Sequence, residues 1–321
     1  MKINKVMVIG DTHFSDTFKG THRDYKQSSL RLMTHIIEKV KMESPEILIF
    51  AGDFLGVKEK NIKSRAFFLE IIKFLQELNN LTDNNVYTLL GNHDIGSYAV
   101  TDVQLLIELG LFKHPKYIPV NSLDDESKEI LRLHLVDYGL ESEPLDLLKE
   151  ESNVVIGHNN FAFNYESLYG GQDGIVLANH TNWEGVELIL SGHIHVPSPE
   201  VQVGRIGDTI SNLLVLGAPC RTAERIEDVF YVIFEIKGDK VSYEAKLFDL
   251  WSVEEEFLPK IEKTEEEVEK TIRDKNLRGI IQELNESRLM KGSLSEQIRL
   301  FPMVSGEVKE RAIEILERVR N

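Results

Sequence analysis

The sequence predicts an α/β fold in residues 1–250, followed by a small helical appendage in 251–321. Short apolar runs, rich in Leu and β-branched residues, recur through 1–200 and are typical of strands buried on both faces. Helical patterns at 29–42 and 64–78 separate the first three runs, and this alternation predicts a sheet with helical crossovers. After Trp251 the chain becomes rich in charged, helix-favouring residues.

Each apolar run ends at a glycine, or one residue past it, and a side chain able to bind a metal ion follows. Glycine permits a tight strand exit because it tolerates positive φ and close backbone approach. In sheets with crossovers, ligands bind beyond the carboxyl ends of the strands, so we expect the ends to converge. The runs with their continuations are VMVIGDTH (6–13), ILIFAGD (47–53), VYTLLGNHD (86–94), VVIGHNN (154–160) and LILSGHIH (188–195).

The last predicted strands lie in 228–250, where the sequence reads DVFYVIFEIKGDKVSYEAKLFDL. Two apolar stretches flank the dipeptide Gly238-Asp239, which is a common hairpin turn. We expect this hairpin to close a sheet.

The charge of the chain is unevenly distributed and constrains its partners. Of the net charge of −16, residues 251–321 contribute −3, from 16 acidic and 13 basic residues, so 1–250 carries −13. Phosphate contacts dominate affinity for duplex DNA, and an acidic body should bind duplex weakly unaided. Bound metal ions would reverse the field locally.

The cysteine content and the apolar runs indicate the compartment. Cys220 is the one cysteine, which excludes an intramolecular disulfide and fits a reducing cytoplasm. No apolar run reaches the ~20 residues that a membrane span requires. We therefore expect a cytoplasmic location and no membrane association.

The side chains at the strand ends offer imidazole, carboxylate and amide oxygen, but no thiolate. This mix suits Mn²⁺, Fe²⁺ or Zn²⁺ better than a cysteine-based structural zinc site. The donors are too many for one tetrahedral ion and suit two ions that share a carboxylate. Two ions ~3.5–4 Å apart can clamp a phosphoryl group and supply a hydroxide nucleophile near neutral pH. The candidates are Asp11, His13, Asp53, Asn92, His93, His158, His193 and His195.

Each motif alone has an ordinary structural explanation. An Asp-x-His is usually a turn with a surface histidine, and GNHD by itself is compatible with a type I′ or Asx turn. The recurrence of all five motifs, each at a strand end, indicates a centre of two metals.

In this order, GDTH, GD, GNHD, GH and GHIH resemble the five signature blocks of the calcineurin-like metallophosphoesterase superfamily. The resemblance covers about residues 5–250. It implies a four-layer αββα sandwich, in which two sheets pack between helices.

The resemblance also implies a role for each donor. Asp53 would bridge two metals, and His93 would face the substrate as the catalytic residue, assisting the phosphate or protonating the leaving oxygen, without being a ligand. The remaining donors would form two sets, with Asp11, His13 and His195 on one metal and Asn92, His158 and His193 on the other. We expect two divalent cations, Mn²⁺ first, with Fe²⁺, Zn²⁺ or Mg²⁺ as alternatives.

Within the superfamily the chain is most similar to SbcD-type nuclease subunits, and in particular to phage-type members. Phosphoprotein phosphatases carry GDxxDRG and GNHE, whereas this chain has GDFLGVK and GNHD. GAPCRT (217–222) lies where SbcD-type proteins have a Gly–small–Pro segment. Many SbcD-type proteins have a histidine in GDxFH that is linked to exonuclease function. Gly56 stands there in this chain, which argues against strong exonuclease activity.

This resemblance implies a DNA endo/exonuclease subunit of an SbcCD-type recombination and repair complex. Its partners would be DNA and an SbcC-type coiled-coil ABC ATPase, and a homodimer is an open expectation. His22 and Arg23 are candidates for a substrate-facing loop, although an exposed loop is the simpler interpretation. Two alternatives remain: a phosphodiesterase or phosphatase acting on a small molecule or cyclic nucleotide, and a non-catalytic scaffold. Gly56 and the acidic body favour the small-molecule enzyme.

The appendage contains one amphipathic helical pattern near its end. Ser305 is a plausible cap. This helix either packs on the chain's own body or docks on the ATPase partner. Its apolar stripe consists of Val308, Ala312, Ile315, Leu316 and Val319.

Overall fold

The computed structural model describes residues 3–17, 24–56, 64–96, 100–149, 151–169, 174–220, 228–252 and 255. The chain divides into two units, Met1–Leu258 and Pro259–Asn321, and every described residue belongs to the first unit. His22, Arg23 and the apolar stripe of the appendage lie outside the described residues. The predicted boundary at residue 250 stays a prediction.

The first sheet contains the first three predicted strands and the closing hairpin. Across the sheet, the order is β13 (Lys240–Leu247), β12 (Phe230–Lys237), β1 (Lys5–Ile9), β2 (Ile47–Phe50) and β3 (Val86–Thr88). β1, β2 and β3 are parallel, in the registers Val8↔Ile49 and Ile49↔Tyr87. β12 runs antiparallel to β1 and turns into β13 at Gly238, where φ is 63°.

The second sheet contains the last two predicted strands. Its order is β10 (Ser198–Ile206), β11 (Thr209–Val215), β9 (Leu188–Gly192), β6 (Ser152–His158), β5 (Glu129–Val136) and β4 (Tyr117–Asn121). The four central strands are parallel, and the two edge strands are antiparallel to their neighbours. Two short strands, β7 (Phe161–Ala162) and β8 (Ile175–Val176), pair separately.

The helices begin at side chains that accept hydrogen bonds from their first turns. Asp24 caps α1 (Tyr25–Glu43) by accepting from Gln27 N, and Ser64 caps α2 (Arg65–Leu81) by accepting from Phe67 N. Thr101 and Gln104 form a capping box for α3 (Asp102–Glu108). The crossovers predicted at 29–42 and 64–78 are thus present. No helix in the described part of the chain is long and apolar enough to cross a membrane.

In the central strands of the first sheet, alternate side chains pack into two different hydrophobic cores, one on each face. Met7 and Ile9 of β1 pack with α1, α2 and α3, whereas Val6 and Val8 pack against the second sheet. This double burial explains why the strands appear in the sequence as continuous apolar runs. A third cluster around Trp183 covers the outer face of the second sheet.

The two-sheet sandwich implied by the family resemblance is confirmed. The first three apolar runs lie in the first sheet and the last two in the second, so the ends that converge come from both sheets. In the described ranges, the segment covering the second sheet is built on 3₁₀ turns, Leu177–Asn179 and Thr181–Trp183, instead of α-helices.

Candidate metal centre

The carboxyl ends of strands from both sheets meet at one edge of the sandwich. Asp11, after β1, accepts a hydrogen bond at Oδ2 from the backbone N of His193, after β9, at 2.8 Å. His158, at the end of β6, donates from Nδ1 to the carbonyl O of Ala51, after β2, at 2.8 Å. These two bonds join the sheets directly behind the candidate donors.

One group of donors combines the first and last motifs of the sequence. His13 Nε2 and His195 Nε2 lie 2.8 Å apart, and each lies 3.9 Å from Asp11 Oδ2. Asp11 and His13 are buried, and His195 is half-buried. This group is the one that the family resemblance implies for one metal.

The second group joins the remaining motifs. His158 Nε2 lies 3.2 Å from Asp53 Oδ2 and 3.2 Å from Asn92 Oδ1. Asn92 Oδ1 also lies 3.0 Å from His193 Nδ1. The ligand atoms of Asp53, His158 and His193 all lie within 4.8 Å of one another.

Asp53 lies between these groups, as a bridging carboxylate would. Its Oδ2 is 3.2 Å from His158 Nε2 on one side and 3.7 Å from His13 Nε2 on the other. Its Oδ1 accepts a hydrogen bond from the backbone N of His93 at 2.8 Å. The ring of His93 also approaches, with Nε2 3.9 Å from Asp53 Oδ2. His13, Asp53 and His93 form a third group with metal-ligand spacing.

The backbone at these strand ends adopts conformations that side chains seldom occupy. His13, Asp53 and His193 have φ values of 45°, 45° and 78°. Such left-handed positions cost roughly 1–2 kcal/mol for a residue with a Cβ, and they cluster at functional sites. The expectation that the glycines supply the positive φ therefore holds for Gly52, where φ is 85°, but elsewhere the functional residues themselves turn the chain.

Glycine is also needed at these strand ends because other atoms lie too close to leave room for a Cβ. A Cβ at Gly91 would lie 2.2 Å from Asp53 Oδ1. A Cβ at Gly192 would lie 2.4 Å from Ala51 O and 2.6 Å from Asp11 Oδ1. Any larger residue would push the candidate donors apart.

The centre has an excess of buried negative charge. Burial raises the pKa of Asp11 well above its usual value, although His158 opposes the shift. Burial also raises the pKa of Asp53, but the attraction of His158 and a hydrogen bond from it outweigh that effect, and the pKa falls below its usual value. Burial lowers the pKa of His158, yet Asp53 and Asp11 together raise it to about 10. The two carboxylates thus attract positive charge to this place, and a bound cation would supply it.

The residues fit divalent cations. Asp11 Oδ1 is fully buried and has no hydrogen-bond partner among the described residues, which is costly unless a cation binds there. The bond from His158 Nδ1 to Ala51 O leaves Nε2 as the atom facing Asp53 and Asn92, and such a bond fixes the tautomer of a ligating histidine. The donors are oxygen and imidazole nitrogen, which suits Mn²⁺, Fe²⁺ or Zn²⁺.

Two carboxylates outside the predicted set hold the GNHD segment in place. Asp94 Oδ2 accepts from Gly91 N at 3.0 Å and from Phe54 N at 3.4 Å, tying the second motif to the third. Burial and the negative charge of Asp53 raise the pKa of Asp94 to about 7. Asp137 Oδ1 accepts from Leu90 N at 2.7 Å and from His114 Nε2 at 2.9 Å. The buried Asp94 could have been suspected from its motif, but nothing in the sequence pointed to Asp137.

Gly56 lies in a tight place behind the centre. Its backbone N donates to Phe14 O at 3.0 Å, and a Cβ at Gly56 would lie 2.5 Å from His13 O. A histidine at this position, as in the GDxFH pattern, requires the backbone of His13 to move. The glycine is therefore part of how the first two motifs pack.

Gly56→Ala and Gly56→His are both expected to destabilise the protein, by about 1–3 kcal/mol, as overpacking usually does. Both variants should also bind Mn²⁺ more weakly, because His13 must shift. Denaturant unfolding and metal titration measure the two effects. A stable Gly56→His protein with wild-type metal affinity and new exonuclease activity would contradict this account.

Comparison with known proteins agrees with the geometry of the site. The family model described as calcineurin-like phosphoesterase matches residues 4–197, more than half of the 321-residue chain. No curated protein matches the chain at a significant level. Among solved structures, a hypothetical protein from Thermus thermophilus is similar, with a TM-score of 0.40 and 13% identity over 76% of this chain and 99% of that chain. That similarity is too distant to bear on function. The extent of the family match and the donor groups at the edge of the sandwich lead to one conclusion: the chain belongs to the calcineurin-like phosphoesterase family and is a metal-dependent hydrolase.

Proposed function

We propose that this protein hydrolyses phosphodiester bonds with two divalent cations, as the nuclease subunit of an SbcCD-type complex. The observation that supports a two-cation site is the position of Asp53, whose Oδ2 lies 3.2 Å from His158 Nε2 and 3.7 Å from His13 Nε2. One carboxylate thereby faces both donor groups. Two cations, when bound, would polarise the phosphoryl group and supply a nucleophile near neutral pH.

The chain's own residues have separate tasks in this proposal. Asp53 contributes to both cation sites. The backbone N of His93 fixes the Asp53 carboxylate through its hydrogen bond to Oδ1, so Asp53 is oriented before any cation binds. The other donors divide as the family resemblance implies, with Asp11, His13 and His195 at one cation and Asn92, His158 and His193 at the other.

His93 is the proposed proton donor to the leaving oxygen. Its side chain is 28% exposed, whereas that of Asp53 is 1% exposed, so His93 can reach a substrate from the solvent side. Its ring centroid lies 5.1 Å from that of His13, at the edge of the donor cluster. Proton transfer from a positioned imidazole is typically worth ~10²–10⁴-fold in rate.

If DNA is the substrate, a second protein has to provide most of the affinity for the duplex. Residues 1–250 carry a net charge of −13, and phosphate contacts dominate binding to duplex DNA. Cations in the centre change the sign of the field only inside the cleft. An ATPase partner with a basic DNA-binding surface would supply the missing affinity, and the C-terminal helical pattern is its proposed docking element.

A second candidate function is a phosphodiesterase for a small molecule or a cyclic nucleotide. Two observations favour it. The body is acidic, and Gly56 packs against His13 where exonucleases of the SbcD type have a histidine. A small diester would reach the centre without an extended cationic surface.

A substrate panel separates these candidates. The purified chain is loaded with Mn²⁺ and incubated with linear duplex DNA, circular single-stranded DNA, a cyclic nucleotide and a chromogenic phosphodiester. Cleavage of DNA, strengthened by the ATPase partner, supports the nuclease. Rapid turnover of the cyclic nucleotide with no cleavage of DNA would contradict the nuclease proposal and support the small-molecule phosphodiesterase.

Replacing Ile315 and Leu316 together with Glu is expected to abolish ATP-stimulated cleavage of duplex DNA by the reconstituted complex. The two substitutions place charge at the centre of the predicted apolar stripe, which would dock in a groove of the partner. Hydrolysis of a small chromogenic diester should stay at the wild-type rate, because the donors lie elsewhere in the chain. Pull-down of the partner and both hydrolysis assays measure these effects.

A control pair uses the same predicted helix. The periodicity places Glu310 and Glu317 on the side opposite the stripe, and changing both to Gln should leave the complex intact. If the Ile315 and Leu316 variant unfolds the whole chain, the helix belongs to the protein's own core. If complex assembly and duplex cleavage survive, docking occurs elsewhere and the small-molecule candidate gains support.

A further inference from the structure

Tyr138 is an exposed aromatic residue beside the candidate metal centre that no motif in the sequence singles out. Its ring centroid lies 5.9 Å from that of His193 and 6.5 Å from that of His158. The residue is 38% exposed. An aromatic ring that leaves so much surface in water, next to a cluster of polar donors, is available to a ligand bound at that cluster.

Two hydrogen bonds join Leu90 to the segment that carries Tyr138. Tyr138 N donates to Leu90 O at 2.8 Å, and Leu90 N donates to Asp137 Oδ1 at 2.7 Å. Leu90 directly precedes the GNHD segment, so the same two bonds position Tyr138 and the segment that carries Asn92 and His93. These bonds hold the backbone of Tyr138 beside the segment that carries Asn92 and His93.

Asp137 and Tyr138 follow β5 one after the other, but their side chains have different surroundings. Asp137 contacts His114, and both line an outer cavity of about 350 Å³. Tyr138 does not line that cavity and lies against His158 and His193. Tyr138 lies in the turn that follows β5, where Leu140 N donates to Asp137 O at 3.1 Å.

We infer that Tyr138 is a substrate-contact residue whose ring stacks on a nucleobase of the substrate, at the His158 and His193 side of the centre. The inference rests on the proposed phosphodiesterase function and narrows its substrate class to nucleotide-containing diesters. A nucleobase has a flat π-face, and stacking on an aromatic side chain tolerates any base sequence. A methyl or glycerol substituent has neither such a face nor a charge, and gains little from the ring.

The two ends of the donor cluster then have different tasks. His93 lies near His13, with 5.1 Å between the ring centroids, whereas Tyr138 lies near His193. A diester bound across the centre would meet a proton donor at one end and a stacking surface at the other. Tyr138 thereby contributes to selection among diesters, and His93 to bond cleavage.

The test compares two chromogenic diesters that share a leaving group. One is the 4-nitrophenyl ester of thymidine 5′-monophosphate, and the other is methyl 4-nitrophenyl phosphate. In the Mn²⁺-loaded chain, Tyr138→Leu should lower kcat/KM for the thymidine diester relative to the methyl diester by about 5- to 100-fold, the range that base stacking supplies. Tyr138→Phe should keep the wild-type ratio, because the ring remains.

Tyr243→Leu is the matched control. Tyr243 has the same exposed fraction, 38%, and its ring lies near Phe234 in the first sheet. This variant should keep the wild-type ratio. Equal losses on both diesters in Tyr138→Leu would mean that Tyr138 only packs His193 in place, and would overturn the inference.

A binding measurement separates this inference from the proposed function. Calorimetry on the Mn²⁺-loaded chain compares thymidine 5′-monophosphate with inorganic phosphate. Tyr138→Leu should weaken binding of the nucleotide by about 5-fold or more and leave that of phosphate unchanged. If wild-type protein hydrolyses neither diester, the proposed function fails, while this binding difference still decides the role of Tyr138. Equal nucleotide affinity in wild type and Tyr138→Leu would overturn the inference.

Discussion

Asp53→Asn is expected to remove the shared carboxylate and to lower both metal binding and catalysis. Losing a hydrogen-bond partner behind a metal ligand typically costs ~10–100-fold in affinity, and losing a bridging ligand should cost more. The amide keeps one oxygen but carries no charge, so each cation site loses part of its negative field. Hydrolysis of any diester should fall to the background rate at Mn²⁺ concentrations that saturate the wild-type protein.

The measurement is a Mn²⁺ titration followed by calorimetry, with turnover of a chromogenic diester recorded on the same samples. Asp125→Asn is the matched control, since Asp125 lies in an exposed turn and bonds to Ser127. That variant should bind both cations normally. Two cations bound at wild-type affinity by Asp53→Asn would show that Asp53 does not bridge them.

His93→Gln is expected to retain two cations and to lose ~10²–10⁴-fold in turnover of a diester with a poor leaving group. Glutamine can still donate a hydrogen bond but cannot transfer a proton to the leaving oxygen. The hydrogen bond from the backbone N of residue 93 to Asp53 survives the substitution. A diester with a nitrophenolate leaving group should suffer much less, because that group departs without protonation.

The metal content of His93→Gln decides between two geometries. Nε2 of His93 lies 3.9 Å from Asp53 Oδ2, and the residue forms a group of metal-ligand spacing with His13 and Asp53. Loss of one cation in the variant would make His93 a ligand and would contradict the proton-donor role. His35→Gln serves as the control, because His35 lies on α1, has a side chain that is 22% exposed and contacts Phe248, apart from the donor groups.

Secondary structure near the site was largely predictable because it depends on neighbours in sequence. The helices predicted at 29–42 and 64–78 appear as α1 (Tyr25–Glu43) and α2 (Arg65–Leu81). The differences are greatest at the ends, where capping side chains such as Asp24 and not the apolar pattern set the boundary. The hairpin turn at Gly238-Asp239 lies where the dipeptide predicted it.

The distribution of strands between sheets was not predictable from local pattern. An apolar run buried on both faces has the same pattern in either sheet. Which run pairs with which depends on contacts between residues far apart in the chain, such as Val155 of β6 with Ile189 of β9. The family resemblance, and not the residues themselves, supplied the two-sheet expectation.

The sequence by itself determined which donor atoms are present at the centre, because each donor lies in a short motif directly after an apolar run. Asp11, His13, Asp53 and the later histidines were therefore candidates from their motifs alone. The tertiary structure alone decided which of these atoms approach one another, that three donor residues themselves take the left-handed turn, that Asp94 and Asp137 hold the GNHD segment, and that Tyr138 lies beside His193. The physical reason is that these roles depend on hydrogen bonds to backbone amides and carbonyls of segments distant in sequence, and on ring contacts across two sheets. The residues next to a given residue in the sequence do not reveal which distant segments it contacts.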